Sequence, residues 1–520
     1  MERRRVRRWW ARTAGRPAPA HVLTTRRPLL TRRAGAIGIV VAALGLAALS
    51  LLRPSAPTTD PWGWIVWGRE ILHGELDTDS VLSPAWKPLP VLLTAPLALL
   101  GDLAPAAWMV VARAAGLVAL VLAYGLGRRL AGRVAGGVAA LALALSGGWL
   151  RGLEHGYSEP LMILLLLGAA HRHLDGRRMQ ALALMVLVGL GRPEIWPLAG
   201  LYAVMTWRWC PSRRRTVAAL VAAIPLLWFV PDWIGSGDPF HGREVAQGAS
   251  GDRDVLDLLG ASVSLVTVPV LALAAIGWAA ALRNRSSAAE LGSVAVAWIA
   301  FVAVLVLLGY PSSERFVALP AALLCVMAGV GAARLADWEG LTASRRTIAA
   351  AALLVAAIAY LPARLDTLPD QVRAAERRAV IQDDLRSLAR TPAVQAEVRC
   401  RPAALLSQLT WNAGALAWEL HLSLPSAQAL AYPPSSDPNP DLMGPRRRVL
   451  ATEDHPQLTF LPRWRDAAEV HAFARPKSAH VIGEDTNWIA VATCPRRPRQ
   501  VESRAPVATS PITSTPRATR

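Results

Sequence analysis

The chain has 520 residues, of which 53% are hydrophobic and only 18% charged, and its mean hydropathy is +0.32. That is too apolar for soluble domains of this length, which excludes a purely cytosolic enzyme. The net charge of +19 invites a nucleic-acid reading, but the basic residues fall at the ends of apolar runs rather than on one face, so nucleic acid is excluded as a partner. The four cysteines show no CxxC or Cys/His spacing, which argues against a structural zinc site.

A spanning helix needs about 20 mostly apolar residues. Eleven runs qualify: 34–52, 104–126, 134–150, 159–170, 179–191, 195–209, 216–231, 258–282, 290–309, 316–335 and 347–362. The expected fold is an all-α polytopic membrane bundle. The runs at 159–170 and 179–191 are short for a full crossing and must extend into their flanks or stop partway. Residues 1–33 form an Arg-rich cytoplasmic N-terminus. The first run has no small-residue cleavage site before Asp60, so it reads as an uncleaved span rather than a signal peptide.

Basic residues near span ends stay on the cytoplasmic side. With the N-terminus inside, the inside segments hold 26 basic residues and five acids, whereas the external loops and the spans through 362 hold nine basic residues and sixteen acids. The N-terminus is therefore expected inside and the C-terminus outside. The apolar run Pro88 to Gly101 is not counted as a span. Counting it would place Arg128, Arg129, Arg133, Arg172, Arg177 and Arg178 outside, so it reads as a helix lying on the external face within an external loop, 53–103. The transmembrane domain then covers 34–362. Residues 363–494 read as a small external α+β domain opening on an amphipathic helix (366–390), and 495–520 as a disordered Pro/Ser/Thr/Arg-rich tail. Cys400 and Cys494 bracket the external domain in an oxidising compartment and are expected to pair as a disulfide.

Ionisable residues at span ends are expensive, so the informative groups are those gathered on the external side. Asp60-Pro61-Trp62-Gly63-Trp64 follows the first span. Arg151, Glu154, His155, Tyr157 and Glu159 follow the third, Arg192-Pro193-Glu194 sits between two short helices, and Glu314-Arg315 opens the tenth span. The expected geometry is one cavity at the membrane surface, rimmed by Asp60, Glu154, Glu159 and Glu194 and by Lys87, Arg192 and Arg315. A carboxylate there can take a proton from an attacking hydroxyl, and a cation can neutralise charge on a departing phosphate. This is the logic of group transfer from a lipid phosphate next to the bilayer.

The acid just after span one, the entry Lys87-Pro88-Leu89-Pro90 to a surface helix, Arg113 within span two and Glu159-Pro160-Leu161 opening span four, with an external C-terminal domain, resemble the GT-C superfamily of polyprenyl-phosphate-sugar glycosyltransferases. Protein O-mannosyltransferases, aminoarabinose transferases and actinobacterial mannosyl- and arabinosyltransferases belong to it. The resemblance covers roughly residues 34–335. It implies that Asp60 is the base toward the acceptor, that Lys87 contacts the carrier phosphate and that Glu159 is the acid at the start of span four, while Arg192, Glu194 and Arg315 look like the Arg-Pro-Glu and Arg-aromatic-x-x-x-Pro patterns of actinobacterial members. The residues expected to bind substrate are Lys87, Arg113, Glu154, Arg192, Glu194 and Arg315. No organic cofactor is implied. Family members often carry a second acid beside the first, where Pro61 stands here, so whether a divalent metal assists stays open.

Each residue has a plainer competitor. Asp60 and Glu159 can simply start helices, and Lys87 and Arg315 can snorkel to the interface. Arg113 can pair with an outer acid, and His155 and Tyr157 can sit in a loop. Trp62, Trp64, Trp67 and Trp86 can form an interfacial belt or stack on sugar. The function expected is transfer of a sugar, mannose or similar, from a polyprenyl-phosphate donor to a glycan, lipid or protein acceptor at the outer face. The alternatives are a transporter or flippase for a lipid-linked glycan, and a non-catalytic envelope-assembly protein.

Overall fold

The computed structural model describes residues 29–79, 84–248, 254–310, 312–336, 365–398, 403–406, 411–430, 458–463 and 480–492, with scattered positions between 342 and 362. Cys400 and Cys494, and with them the expected disulfide, lie outside the described residues, as do seven of the sixteen positions of the last expected span.

The apolar runs are helical, because a helix satisfies every backbone group internally where no water is available. Among the described residues, five helices are long and apolar enough to cross a membrane: Ala34–Leu52, Gly101–Ala131, Pro211–Ser236, Ala288–Leu307 and Glu314–Leu335. Two bent pairs, Arg133–Ala144 with Trp149–His155 and Val255–Val266 with Val268–Arg283, bring the number to seven if each pair is one crossing. The chain is a multi-pass membrane protein. The expected spans four to six are helices of 16, 12 and 14 residues, Glu159–Leu174, Arg178–Gly189 and Trp196–Trp209, which fall short of a full crossing. Pro88–Ala98 is likewise a short apolar helix of 11 residues rather than a span.

The helix Glu314–Ala336 runs through the middle of the bundle, packed against Arg133–Ala144, Val268–Arg283, Ala288–Leu307 and Ala104–Ala131. Small residues permit this approach: a Cβ at Gly329 would overlap the carbonyl of Ala135, and one at Gly331 the carbonyl of Leu273. Large apolar side chains such as Ile37, Leu46, Leu226 and Leu307 stay exposed on the outside of the bundle, where lipid covers them.

The run 258–282, read from sequence as one straight span, is broken at Thr267. That residue holds φ 66° without being glycine, and the two halves meet at 90°. The break is anchored by the Gly147 amide donating to the Leu265 carbonyl at 2.8 Å, so it sits against the other break, at Ser146–Gly148. Irregular backbone at membrane depth survives only where protein or a cavity receives it.

The C-terminal region adds a five-stranded sheet of order β2-β1-β3-β5-β4, with β1 Ala403–Leu406, β2 Ala427–Leu430, β3 Leu458–Pro462, β4 His480–Glu484 and β5 Trp488–Ala492. Strands β1, β2 and β3 pair in parallel, and β5 pairs antiparallel with β3 and β4. Helix Leu368–Ala389 joins this unit to the surface helix Thr59–His73. Trp62 Nε1 donates to Gln382 Oε1 (3.1 Å), Gln382 Nε2 to the Pro57 carbonyl (3.1 Å), and Arg69 to the carbonyls of Trp418 and Leu422. The tryptophans are explained here. Trp62, Trp64, Trp67 and Trp86 are 0–3% exposed and share one apolar core with Ile381, Leu385, Trp418 and Trp488. They are neither an interfacial belt nor a sugar platform but the core that seats the C-terminal unit on the membrane domain.

Candidate active site

Local sequence brings each charged group to the same end of the bundle. Asp60 and Glu159 occupy the first turns of Thr59–His73 and Glu159–Leu174, each followed by a proline that suits a helix start. Both carboxylates gain from the positive end of a helix dipole. Pro88 likewise starts Pro88–Ala98 and leaves Lys87 extended just before it. The Leu89 amide donates to the Leu190 carbonyl at 2.9 Å, which sets Lys87 beside the turn carrying Arg192 and Glu194. Arg315 is the second residue of the central helix, where the dipole disfavours a cation; two carboxylates offset that penalty.

The result is an alternating network of three cations and three acids. Lys87 Nζ lies 3.2 Å from Asp60 Oδ2, and Arg315 Nη2 lies 2.8 Å from the same oxygen. Arg315 Nε also donates to Glu159 Oε1, which Arg192 Nη2 shares, and Arg192 Nη1 is 3.5 Å from Glu194 Oε1. Lys87, Glu159, Arg192 and Glu194 are all buried. A buried ion network of this kind is poor value for stability and marks a functional site more readily than a structural one. Glu159 Oε2, Glu194 Oε2 and Arg192 Nε are buried without a hydrogen-bond partner among the described residues.

Asp60 and Lys87 respond to burial in opposite directions. Burial alone would raise Asp60, but the charges of Arg315 and Lys87 outweigh it and hold the carboxyl well below the usual carboxylate range. Burial lowers Lys87 to about 8, with Arg315 and Arg192 adding to the effect and Asp60 opposing it.

Beside the network lies a cavity of about 340 Å³ that reaches between the two broken helices. Glu159 and Arg315 belong to both. The rest of its lining includes Ser146, Trp149, Arg151, His155, Tyr157, Leu265 and Glu314. Tyr157 lies with its ring 4.2 Å from the Arg315 guanidinium carbon, and Arg151 pairs with Glu314 across the opening. His155 and Tyr157, which sequence reasoning left to a loop, therefore face the site. The Gly147-Gly148 pair that breaks the helix was the available signal.

Arg113 and Glu154 stand apart from this network among the described contacts. Arg113 donates to Ser50 Oγ (2.7 Å) and to the Leu153 carbonyl (3.3 Å), tying the end of the first span to helix Trp149–His155. Glu154 sits in the field of Arg378 and Arg113. The donor set does not suit a divalent cation. Asp60, Glu159 and Glu194 are each already held by an arginine or lysine, Pro61 stands beside Asp60, and no group of three or more His, Cys, Asp or Glu among the described residues is arranged to hold a metal ion.

No protein-family profile and no curated protein matches the chain. Solved structures do. ArnT from Cupriavidus metallidurans bound to undecaprenyl phosphate is similar at 15% identity, over 88% of this chain and 98% of that one, with a TM-score of 0.54. The same protein in the apo state is similar at 15% identity, over 89% and 98%, with a TM-score of 0.53. The Archaeoglobus fulgidus oligosaccharyltransferase in complex with Zn and sulfate is more distant, at 14% identity, 76% and 62% coverage and a TM-score of 0.43. The chain has the fold of ArnT over 88% of its own length and 98% of the other's.

Proposed function

We propose that this protein is a glycosyltransferase that moves a sugar, mannose or similar, from a polyprenyl-phosphate donor to an acceptor at the external face of the membrane. The observation that carries the reading is the shared grip of Lys87 and Arg315 on one oxygen of Asp60 at the membrane-domain end, in a fold like that of a protein crystallised with undecaprenyl phosphate. The acceptor hydroxyl attacks the anomeric carbon as its proton passes to a carboxylate. The bond to the phosphate oxygen breaks, and its electron pair is received by a phosphate that Lys87 and Arg315 neutralise.

Asp60 held by two cations is a weak base. An incoming donor phosphate competes for those same cations, so donor binding frees Asp60 to accept the proton. Arg192, with Glu159 and Glu194, holds the far side of the network in register. Transport of a lipid-linked glycan would need charges along a path through the bilayer. Arg113, the one basic residue expected well inside a span, instead bonds to Ser50 and Leu153 near the site.

Lys87 gives a pH dependence. Its ammonium form is required for donor contact, so kcat/KM should be level below about pH 8 and fall above it. An anionic donor favours the charged form, so the limb in kcat should lie higher than that in kcat/KM. Lys87→Arg should remove the limb while restoring only part of the rate, because a planar fork does not replace a compact charge. The effect on stability has the opposite sign. With its folded pKa below the ordinary 10.5, the unfolded chain binds the extra proton between about pH 8 and 10.5, so this residue makes folding more favourable as pH rises through that window. A pH profile without an alkaline limb would remove Lys87 from the charged contact.

Orientation is tested separately. In a cysteine-free background, an impermeant maleimide applied to intact cells should label Gly74→Cys and leave Arg214→Cys untouched. Both positions are exposed in the structure. Labelling at Arg214 would put the site on the cytoplasmic side.

A further inference from the structure

We infer that the cavity beside the ion network is a subsite for an uncharged, hydroxyl-rich glycosyl ring, and that it, rather than the Lys87–Asp60 side, sets which sugar the protein handles. The inference rests on the transfer reading above and says which part of the substrate this space receives. At about 340 Å³ the cavity falls in the range of small-ligand pockets, roughly 300–1,000 Å³.

Its charge is cancelled from within. The lining arginines are Arg151 and Arg315, the lining carboxylates are Glu314 and Glu159, and each arginine is paired with one of these acids. The two charges of each sign cancel, so the lining as a whole favours neither an anionic nor a cationic ring. Hydrogen-bonding capacity nevertheless remains. Glu159 Oε2 and His155 Nδ1 are buried with no partner among the described residues, and the hydroxyl-bearing residues Tyr157 and Ser313 are among those lining the space. Donors and acceptors without net charge are what a ring of hydroxyls satisfies, and they are costly to leave unmet.

The lining also carries the apolar side chains of Trp149, Pro160, Ile163, Leu265, Ala318 and Ala321, which suit the C–H face of a sugar. The two helix breaks, joined by the Gly147 to Leu265 hydrogen bond, open this space. Since Glu159 and Arg315 lie in both cavity and network, a ring seated here has its anomeric carbon within reach of the phosphate-binding cations.

The ring can come from the donor's own sugar or from a glycan acceptor, and the test separates them. Ala318→Leu fills the cavity from the helix wall and leaves every charged side chain in the sequence; Ala318→Ser keeps the room and controls for folding, as does the unfolding temperature of each variant. Binding to purified protein is measured for polyprenyl phosphate alone and for its mannosyl, glucosyl and arabinosyl esters, and transfer is measured to a panel of methyl glycosides.

If the donor sugar occupies the cavity, wild type should bind one ester at least tenfold tighter than bare polyprenyl phosphate. Ala318→Leu should lose that gain while binding bare polyprenyl phosphate as before. If the acceptor ring occupies it, donor affinities should stay level and the KM for a glycoside should rise at least tenfold. The inference is overturned if Ala318→Leu leaves every affinity and KM unchanged, or if it weakens bare polyprenyl phosphate as much as the esters, which would make the cavity a seat for the carrier chain. It is also overturned if the wild type binds polyprenyl phosphate but gains nothing from any sugar. Failure of wild type to bind polyprenyl phosphate at all would instead overturn the transfer reading.

Discussion

Asp60→Asn should lower kcat by about 10² to 10⁴, the usual range for loss of a general base, which corresponds to roughly 3–5 kcal/mol of barrier. The amide keeps the shape of the side chain and can still accept a hydrogen bond, but it cannot take a proton. It also loosens the hold on Lys87 and Arg315, which Asp60 engages through one oxygen. Donor phosphate then meets less competition for those cations, so the donor KM should stay level or fall while kcat collapses. That split separates loss of a base from general damage to the site, which would raise KM as kcat drops. Transfer at the wild-type rate would move the role to Glu159, whose unpartnered Oε2 belongs to a cavity-lining side chain.

Arg192→Met should be the most destabilising single change in the site. Arg192 is 4% exposed, and it holds both Glu159 and Glu194. Removing it strands Glu194 and leaves Glu159 to Arg315 alone, and breaking a buried pair from one side costs about 3–5 kcal/mol. Arg192→Lys should recover part of the loss, since one ammonium cannot bond both acids as a guanidinium fork does. Equal unfolding temperatures for Arg192→Met and wild type would mean that Glu159 and Glu194 are not charged in the folded protein.

The bundle was legible in the sequence because length and hydropathy decide whether a segment spans, and Lys/Arg placement marked Pro88–Ala98 as something other than a span. The gathering of Asp60, Lys87, Glu159, Arg192, Glu194 and Arg315 was legible for the same reason. Charges are costly near lipid, so those at one end of the spans had few places to go except toward one another. What hydropathy could not give was the shape of the backbone at depth. Residues 258–282 are uniformly apolar in hydropathy, and the break at Thr267 falls just before Pro269, which has no amide to donate to the Leu265 carbonyl; the Gly147 amide donates there instead. The cavity, and the roles of Tyr157, Arg151 and Glu314 around it, depend on that break. The tryptophans misled because an aromatic cluster near a membrane reads as a belt. Their partners, Leu385, Trp418 and Trp488, lie about 300 residues or more further along the chain, and no local pattern links them.

The most direct test is donor turnover by the purified protein in lipid nanodiscs. A panel of radiolabelled polyprenyl-phosphate sugars is supplied with an envelope extract as acceptor, and released polyprenyl phosphate is quantified for wild type, Lys87→Ala and Asp60→Asn. The account predicts that at least one donor is consumed, that consumption requires the acceptor extract, that Lys87→Ala shows chiefly a raised donor KM and that Asp60→Asn binds donor but releases almost no polyprenyl phosphate. Donor that is never cleaved by wild type, yet crosses the bilayer of protein-containing vesicles faster than that of empty ones, would contradict transfer and make the protein a transporter of lipid-linked sugar.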